Sequence, residues 1–178
     1  MRYELVLPVG VDLRVAEASD EVFMEELFGS AHEYLYTMNV PEQYIAAIVK
    51  QQYQLQKNSY KNQWPNASTL IIRWCGQSIG RIIVYEEQDL LHFIDCAFVP
   101  EKRGKGYGTA ILRTAQNVAK KHQILLKLSV ERHNLRARKL YLSLGFKVVE
   151  EKESHEIMTW KAPAAATVEA PESENNLG

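Results

Sequence analysis

Residues Phe98–Thr109 read Phe-Val-Pro-Glu-Lys-Arg-Gly-Lys-Gly-Tyr-Gly-Thr and lie between an apolar, strand-like run and an amphipathic, helix-like run. Glycines at alternate positions let the backbone turn tightly and let a ligand approach it closely. The helix that follows presents unpaired N–H groups and the positive end of its dipole at the same place. The stretch therefore predicts a site for a phosphate or pyrophosphate, beside which Arg103 and Lys105 add positive charge.

Two other glycine-rich phosphate loops do not match this stretch. A Walker loop requires Gly-x-x-x-x-Gly-Lys-Ser/Thr, and Thr109 does not follow a lysine. The dinucleotide fingerprint requires Gly-x-Gly-x-x-Gly and an acidic residue about 20 positions later, where this chain has Leu128 and Ser129. From the loop alone, a surface turn with solvated charges remains an alternative.

The residues downstream of the loop decide between these alternatives. A β-rich run, Ile124–Val130, comes first. It is followed, at regular spacing, by Asn134, Ala137, Tyr141, Gly145 and Phe146. In order and spacing, these residues and the Arg103-Gly-x-Gly-x-Gly108 segment resemble the GCN5-related N-acetyltransferase (GNAT) superfamily.

The order of strand-like and helix-like segments from about Val11 to Trp160 also fits that family. It reads β-α-α-β-β-β-α-β-α-β-β, in which hairpins precede a crossover helix. This order predicts an α/β (α+β) fold with a mixed, mostly antiparallel central sheet of about six to seven strands and helices on both faces. Residues 1–161 are expected to form one GNAT domain. Residues 162–178 are acidic and aperiodic, which predicts a disordered tail.

Several boundaries follow from local signals. Ser19 is predicted to cap the first helix, with acidic residues in its first turn. Pro41 fits the first turn of a second helix that ends at about Lys57. Cys75-Gly76-Gln77 is predicted to be a hairpin turn, and Gly145 is predicted to end the last helix.

The resemblance implies an acetyl-CoA-dependent N-acetyltransferase in which acetyl-CoA is the co-substrate. The sheet should open after the strand that precedes the loop, and the backbone of Ala97, Phe98 and Val99 should pair with the pantetheine arm. The backbone that should hold the pyrophosphate belongs to Arg103, Gly104, Lys105, Gly106, Tyr107, Gly108 and Thr109. Asn134 would bind the cofactor near its amide groups, cap the following helix, or do both. Arg138 is a candidate for the 3′-phosphate.

The family mechanism is direct attack of an amine on the thioester in a ternary complex. By resemblance, Tyr141 protonates the departing thiolate, a well-matched transfer because a phenol has a pKa near 10. A packing role for Tyr141 is the alternative. Asp95 and Glu131 are candidates for the general base, each with the alternative of a solvated or paired carboxylate. Strand alternation predicts that Asp95 shares a face with Phe93 and Ala97.

Composition excludes several other classes. The 178 residues are 46% hydrophobic and 24% charged, which is typical of one globular domain. A net charge of −1 gives no attraction to nucleic acid or to an acidic membrane. Two cysteines, Cys75 and Cys96, cannot make a disulfide framework, and Met1–Gly10 does not resemble a signal peptide, so we expect a cytoplasmic protein. The five histidines show no metal-ligand spacing.

The acceptor is not identified by the sequence. By resemblance, the first two helices and their connection select it, and Glu33, Tyr34 and Tyr36 lie in that connection. The partner is therefore an amine on a small molecule or on a protein, and a homodimer is a further open arrangement. A non-catalytic acyl-CoA-binding module is the alternative function, since it needs the loop but no acid or base.

Overall fold

The computed structural model describes residues 5–37 and 40–163. Its seven strands are β1 Val11–Val15, β2 Ser68–Trp74, β3 Gln77–Glu86, β4 Leu90–Phe98, β5 Leu125–Glu131, β6 Lys147–Glu151 and β7 His155–Trp160. Its four α-helices are α1 Glu21–Ala31, α2 Glu42–Gln63, α3 Tyr107–His122 and α4 Leu135–Ser143. The predicted order of elements is confirmed. Most of the predicted acidic tail, from residue 164 onward, lies outside the described residues.

The strands form one sheet in the order β1-β2-β3-β4-β5-β7-β6. Every neighbouring pair is antiparallel except β4 and β5, which are parallel and joined by the crossover helix α3. The predicted mixed, mostly antiparallel sheet is therefore confirmed. The predicted hairpin turn between β2 and β3 is also present, since Cys75 and Gly76 both have positive φ, as a tight hairpin turn requires.

Helices cover both faces of the sheet. On one face α3 buries Ile111, Ala115 and Ala119 in a cluster with apolar side chains of β2 to β5 and β7. On the other face, α1 and α2 form a second cluster that contains Ile71 of β2. Because Leu70 and Ile72 belong to the first cluster, β2 alternates between the two cores as a strand covered on both faces must.

Two helix boundaries differ from those predicted. Ser19 does not cap α1; it lies inside a short 3-10 turn, Ala18–Asp20, where Glu17 and Asp20 form a reciprocal capping box. Asp20 also accepts two 2.6 Å hydrogen bonds from Arg14, and these bonds lower the pKa of its carboxyl to about 2. The second helix, α2, runs past Lys57 to Gln63, shortly before Pro65, which disfavours helix in the residue before it.

A β-bulge in β4 changes which face its residues occupy. Val84 pairs with Phe93 and Ile83 pairs with Asp95, so Ile94 is an extra residue in β4. The prediction that Asp95 shares a face with Phe93 is therefore wrong, because simple alternation does not survive an inserted residue. Asp95 lies with Ala97 on the face covered by α1 and α2.

Among residues 5–37 and 40–163, no helix is long and apolar enough to cross a membrane.

Candidate active site

The sheet opens between β4 and β5. The two strands pair only from Leu90 to Phe93 of β4, opposite Leu125 to Leu128 of β5. Beyond that point β4 stays with β3 as far as Phe98, whereas β5 stays with β7 as far as Glu131. The bulge at Ile94 lies where the two strands part. The opening predicted from the resemblance is therefore present. Beyond Phe93, β4 has no strand partner on that edge within the described chain.

The glycine loop ends at the N-terminus of α3, next to this opening. Gly106 is the N-cap of α3 at a φ of 87°, and neither a side-chain cap nor an acidic residue in the first turn satisfies the helix start. A Cβ at Gly106 would meet nothing within 4 Å, so the loop is open above it. The first intrahelical bond runs from Ala110 N–H to the Gly106 carbonyl. The amides of the first turn therefore remain available to an anion.

The end of β4 and the start of α3 are held together by aromatic contacts. The rings of Phe98 and Tyr107 stack with centroids 6.3 Å apart. The Phe98 ring also lies 3.5 Å from the position of a Cβ at Gly108, so this glycine lets α3 approach the strand end closely. Val99 continues the pairing with β3 by donating its N–H to the Ile79 carbonyl at 3.0 Å. These contacts fix the loop relative to the open edge of β4.

Tyr141 projects from α4 toward the opening from the α3 side. Its ring is half-buried and packs near Phe146, with centroids 6.1 Å apart. Burial, the Cys96 thiol and the Asp95 carboxylate together raise the pKa of the Tyr141 hydroxyl above its ordinary value. The phenol therefore stays protonated at neutral pH, as a general acid must. The structure thus brings Tyr141 close to the part of β4 beyond the bulge.

Asp95 forms a buried ion pair with Arg81 of β3. The Arg81 side chain is 6% exposed and that of Asp95 is 23% exposed. The Nε of Arg81 is buried without a hydrogen-bond partner among the described residues. Asp95 is therefore a paired carboxylate, one of the two alternatives that the sequence left open.

Glu131, the second candidate base, lies at the end of β5. Its carboxylate is 61% exposed, and one oxygen lies 3.0 Å from Nε2 of His133. Burial and the negative charges of Asp95 and Glu131 raise the pKa of the Tyr60 hydroxyl on α2. Asp95, Glu131 and Tyr60 therefore lie near one another on the α2 side of the opening.

Sequence reasoning missed Tyr60, Tyr53 and Arg81. Arg81 is the one charged residue in the otherwise uncharged run Ile79–Val84, a signal that it needs a buried partner. Tyr53 and Tyr60 are seven residues apart on α2, the spacing of two helical turns, which places both on the same side of that helix. Burial, followed by the charge of Glu21, raises the pKa of Tyr53 to about 12.

Three predicted cofactor residues make contacts within the protein. Asn134 is the N-cap of α4 and accepts a hydrogen bond from the Ala137 N–H at 3.1 Å. Arg138 donates from Nε to Glu156 at 2.7 Å, so its guanidinium has a different partner from the predicted 3′-phosphate. The Arg103 side chain turns toward Phe98 and α1 rather than outward. Lys105 is exposed on the loop.

Removing the charge of Asp95 and that of Glu131 should have different effects on the free energy of unfolding. We expect Asp95→Asn to lower the free energy of unfolding by about 3 kcal/mol, because Arg81 would remain buried without its counter-charge. The matched change Glu131→Gln should alter it by less than about 0.5 kcal/mol, since that carboxylate is exposed. Urea denaturation of both variants measures the difference. Equal stabilities would contradict a structural ion pair at Asp95.

The comparisons with known proteins agree with this geometry. The family model described as acetyltransferase (GNAT) family matches residues 32–146, well over half of the chain. No curated protein matches the chain significantly.

Several solved structures share the fold. A PaiA N-acetyltransferase from Thermoplasma acidophilum, in complex with coenzyme A, is 22% identical, with a TM-score of 0.62 over 85% of this chain and 99% of that one. The ribosomal-protein-S18-alanine N-acetyltransferase from Escherichia coli is 19% identical, with a TM-score of 0.59 over 89% and 97% of the two chains. Arabidopsis thaliana Naa50, in complex with the bisubstrate analogue CoA-Ac-MVNAL, is 15% identical, with a TM-score of 0.54 over 85% and 99%.

Proposed function

The chain belongs to the acetyltransferase (GNAT) family and is an acetyl-CoA-dependent N-acetyltransferase, and on that premise we propose that it acetylates a primary amine by direct attack within a ternary complex. One observation carries the proposal: the opening between β4 and β5 lies beside an uncapped helix N-terminus. The opening supplies a free strand edge for an extended, amide-bearing arm. The helix start supplies backbone donors for a pyrophosphate.

The residues present fit acetyl-CoA. The open space above Gly106 admits phosphate oxygens to the first-turn amides of α3. The unpaired edge of β4, at Ala97, Phe98 and Val99, can hydrogen-bond the pantetheine amides as a further strand would. Lys105 adds an exposed positive charge to the loop. Acetyl-CoA supplies an acetyl group activated as a thioester.

We assign the cofactor and the amine to opposite faces of the sheet. The α3 face carries the glycine loop and Tyr141, so we propose that the cofactor lies on this side and that Tyr141 gives its proton to the leaving thiolate. The α2 face carries Asp95, Tyr60 and Glu131, so the amine enters from there. Because Arg81 engages Asp95, we propose that Asp95 holds the amine and that Glu131 accepts its proton. Backbone N–H groups of the open strand would stabilise the oxyanion, at about 3 kcal/mol per donor.

A non-catalytic acyl-CoA-binding module is the second candidate, because the loop and the open strand edge would serve it equally well. The position of Tyr141 beside the opening favours the enzyme, since a binding module does not need a proton donor there. Release of free CoA thiol in the presence of amines distinguishes the two functions.

Calorimetric titration with acetyl-CoA, CoA and NAD in parallel tests the proposal. We expect heat and thermal stabilisation with the two CoA species and none with NAD, followed by amine-dependent thiol release from acetyl-CoA. Amines on small molecules, peptide N-termini and lysine side chains form the acceptor panel. No response to either CoA species would remove the proposed function, and CoA binding without thiol release would favour the binding module.

The two cysteines offer a test of where the ligand binds. Both thiols are free and exposed. Cys96 is on the unpaired part of β4, whereas Cys75 lies in the β2–β3 turn, outside the opening between β4 and β5. We expect CoA to slow maleimide labelling of Cys96 and to leave Cys75 unchanged. Equal protection of both thiols would contradict a ligand confined to the opening.

The location, the domain boundary and the oligomeric state of the chain are further proposals. Free thiols at Cys75 and Cys96 support a reduced, cytoplasmic location. We also propose that residues 1–161 form the N-acetyltransferase domain and that residues 162–178 form a separate acidic tail. Light scattering decides between a monomer and a homodimer.

A further inference from the structure

The Arg103 guanidinium joins two segments that are 73 residues apart in the chain. Its Nε donates to the Phe98 carbonyl at the end of β4, at 2.9 Å. Its Nη2 donates to the Ser30 carbonyl at 2.7 Å and to the Ser30 hydroxyl at 2.9 Å. Ser30 lies in the last turn of α1. The side chain thus spans from the cofactor side of the opening to a helix on the acceptor side.

The end of α1 needs such a donor. The last four carbonyls of a helix have no intrahelical partner, and a cation near them is favourable. α1 has no basic residue in its own last turn. Within α1, the Phe28 and Gly29 carbonyls are already hydrogen-bonded to His32. Arg103 therefore supplies the hydrogen bond to the Ser30 carbonyl and the positive charge that the helix's own last turn lacks.

The same turn of α1 supports the connection to α2. A Cβ at Gly29 would lie 2.7 Å from the Tyr36 hydroxyl and 3.2 Å from a Val49 methyl, so this connection packs directly on Gly29. A cavity of about 150 Å³ separates α1 from the residues after β4 and is lined by Ser30 and Val99 among others. A shift of the α1 terminus would therefore change both the acceptor side and the strand end.

We propose that Arg103 is a positioning residue that fixes the end of α1 against the end of β4, so that the cofactor strand and the acceptor-side helix move as one unit. This inference rests on the proposed function, which assigns one side of the opening to the cofactor and the other side to the acceptor. It differs from the expectation that Arg103 only contributes to the pyrophosphate site, because its guanidinium hydrogen-bonds carbonyl and hydroxyl oxygens of the protein.

Two substitutions separate positioning from direct contact with the pyrophosphate. Arg103→Lys keeps the charge but has no planar fork to reach Phe98 and Ser30 together, whereas Arg103→Gln removes the charge. A positioning role predicts that both variants bind CoA about tenfold more weakly than the native chain. If the Arg103 charge instead contacts the pyrophosphate directly, the CoA affinity of the lysine variant should stay within about twofold of the native affinity. Arg73→Gln, on β2 and paired with Asp12, is the matched control.

Ser30 gives an independent test, because it lies on α1. We expect Ser30→Ala to weaken CoA binding about threefold in the native chain and to have no further effect in Arg103→Gln, since the hydroxyl acts through Arg103. Additive effects, or no effect of Ser30→Ala, would overturn the proposal. Calorimetry measures all four proteins, and thermal melts establish that each is folded.

Hydrogen exchange distinguishes failure of this inference from failure of the proposed function. Without any ligand, amides in residues 24–31 should exchange faster in Arg103→Lys than in the native chain, and equal rates would overturn the proposal. With CoA, these amides should be protected in the native chain and less so in the variant. If the native chain does not bind CoA, the proposed function fails, yet the ligand-free comparison still tests the contact.

Discussion

Gly106→Glu should weaken CoA binding by at least about 100-fold, or about 3 kcal/mol. Gly106 caps α3 at a φ of 87°, and the space above its Cα is open, so a side chain there would point into the proposed phosphate site. A carboxylate at that place would occupy the positive end of the α3 dipole and repel the pyrophosphate. Calorimetric titration with CoA measures the loss.

The chain offers a matched control for this change. Gly76, in the β2–β3 turn, has a φ of 80°, and a Cβ there would also meet nothing within 4 Å. Gly76→Glu therefore has a similar backbone cost, about 1–2 kcal/mol for a left-handed residue, at a position outside residues 98–109. We expect native CoA affinity in the control. Native affinity in Gly106→Glu would mean that the loop does not hold the pyrophosphate.

Tyr141→Phe should lower kcat about 100-fold with little change in the affinity for acetyl-CoA. The substitution removes the proton donor, and general acid catalysis contributes a factor of this order or more. The ring that packs near Phe146 is retained, so the fold should be preserved. Turnover, followed as thiol release, and acetyl-CoA binding, followed by calorimetry, are measured on the same variant.

The pH dependence gives a second readout for Tyr141. The acid form is required, and the surroundings raise the pKa of this hydroxyl, so its contribution should persist at neutral pH and be lost only above the ordinary phenol range near 10. Tyr85→Phe is the control, since that hydroxyl faces Glu87 at 2.8 Å on an exposed surface. A Tyr141→Phe enzyme as active as the control would assign Tyr141 to packing alone.

Local signals were sufficient for the family and for the order of elements. Gly104 and Gly106 have positive φ, a conformation that glycine adopts without steric cost. The residue type at these positions, which the sequence gives directly, is therefore enough to predict the loop. Asn134 and Gly145 mark the start and end of α4 for equally local reasons. The hairpin turn between β2 and β3 was predictable from Gly76, which also has a positive φ.

Local signals failed where one residue changed the register of a strand. The inserted Ile94 moves Asp95 to the face opposite Phe93, and strand alternation contains no information about such an insertion. The same bulge accompanies the separation of β4 from β5. The opening was inferred by resemblance, and the hydrogen-bond register places it beyond Phe93.

The turns, the helix caps and the anion-binding backbone could be predicted from adjacent residues, because these properties depend on a few neighbouring positions. The pairing of charges could be found only from the folded chain. Arg81 engages Asp95 across two strands, Arg138 engages Glu156, and Arg103 reaches α1. Long side chains bind whatever acceptor the fold brings within a few ångströms, and that neighbour comes from a distant part of the chain.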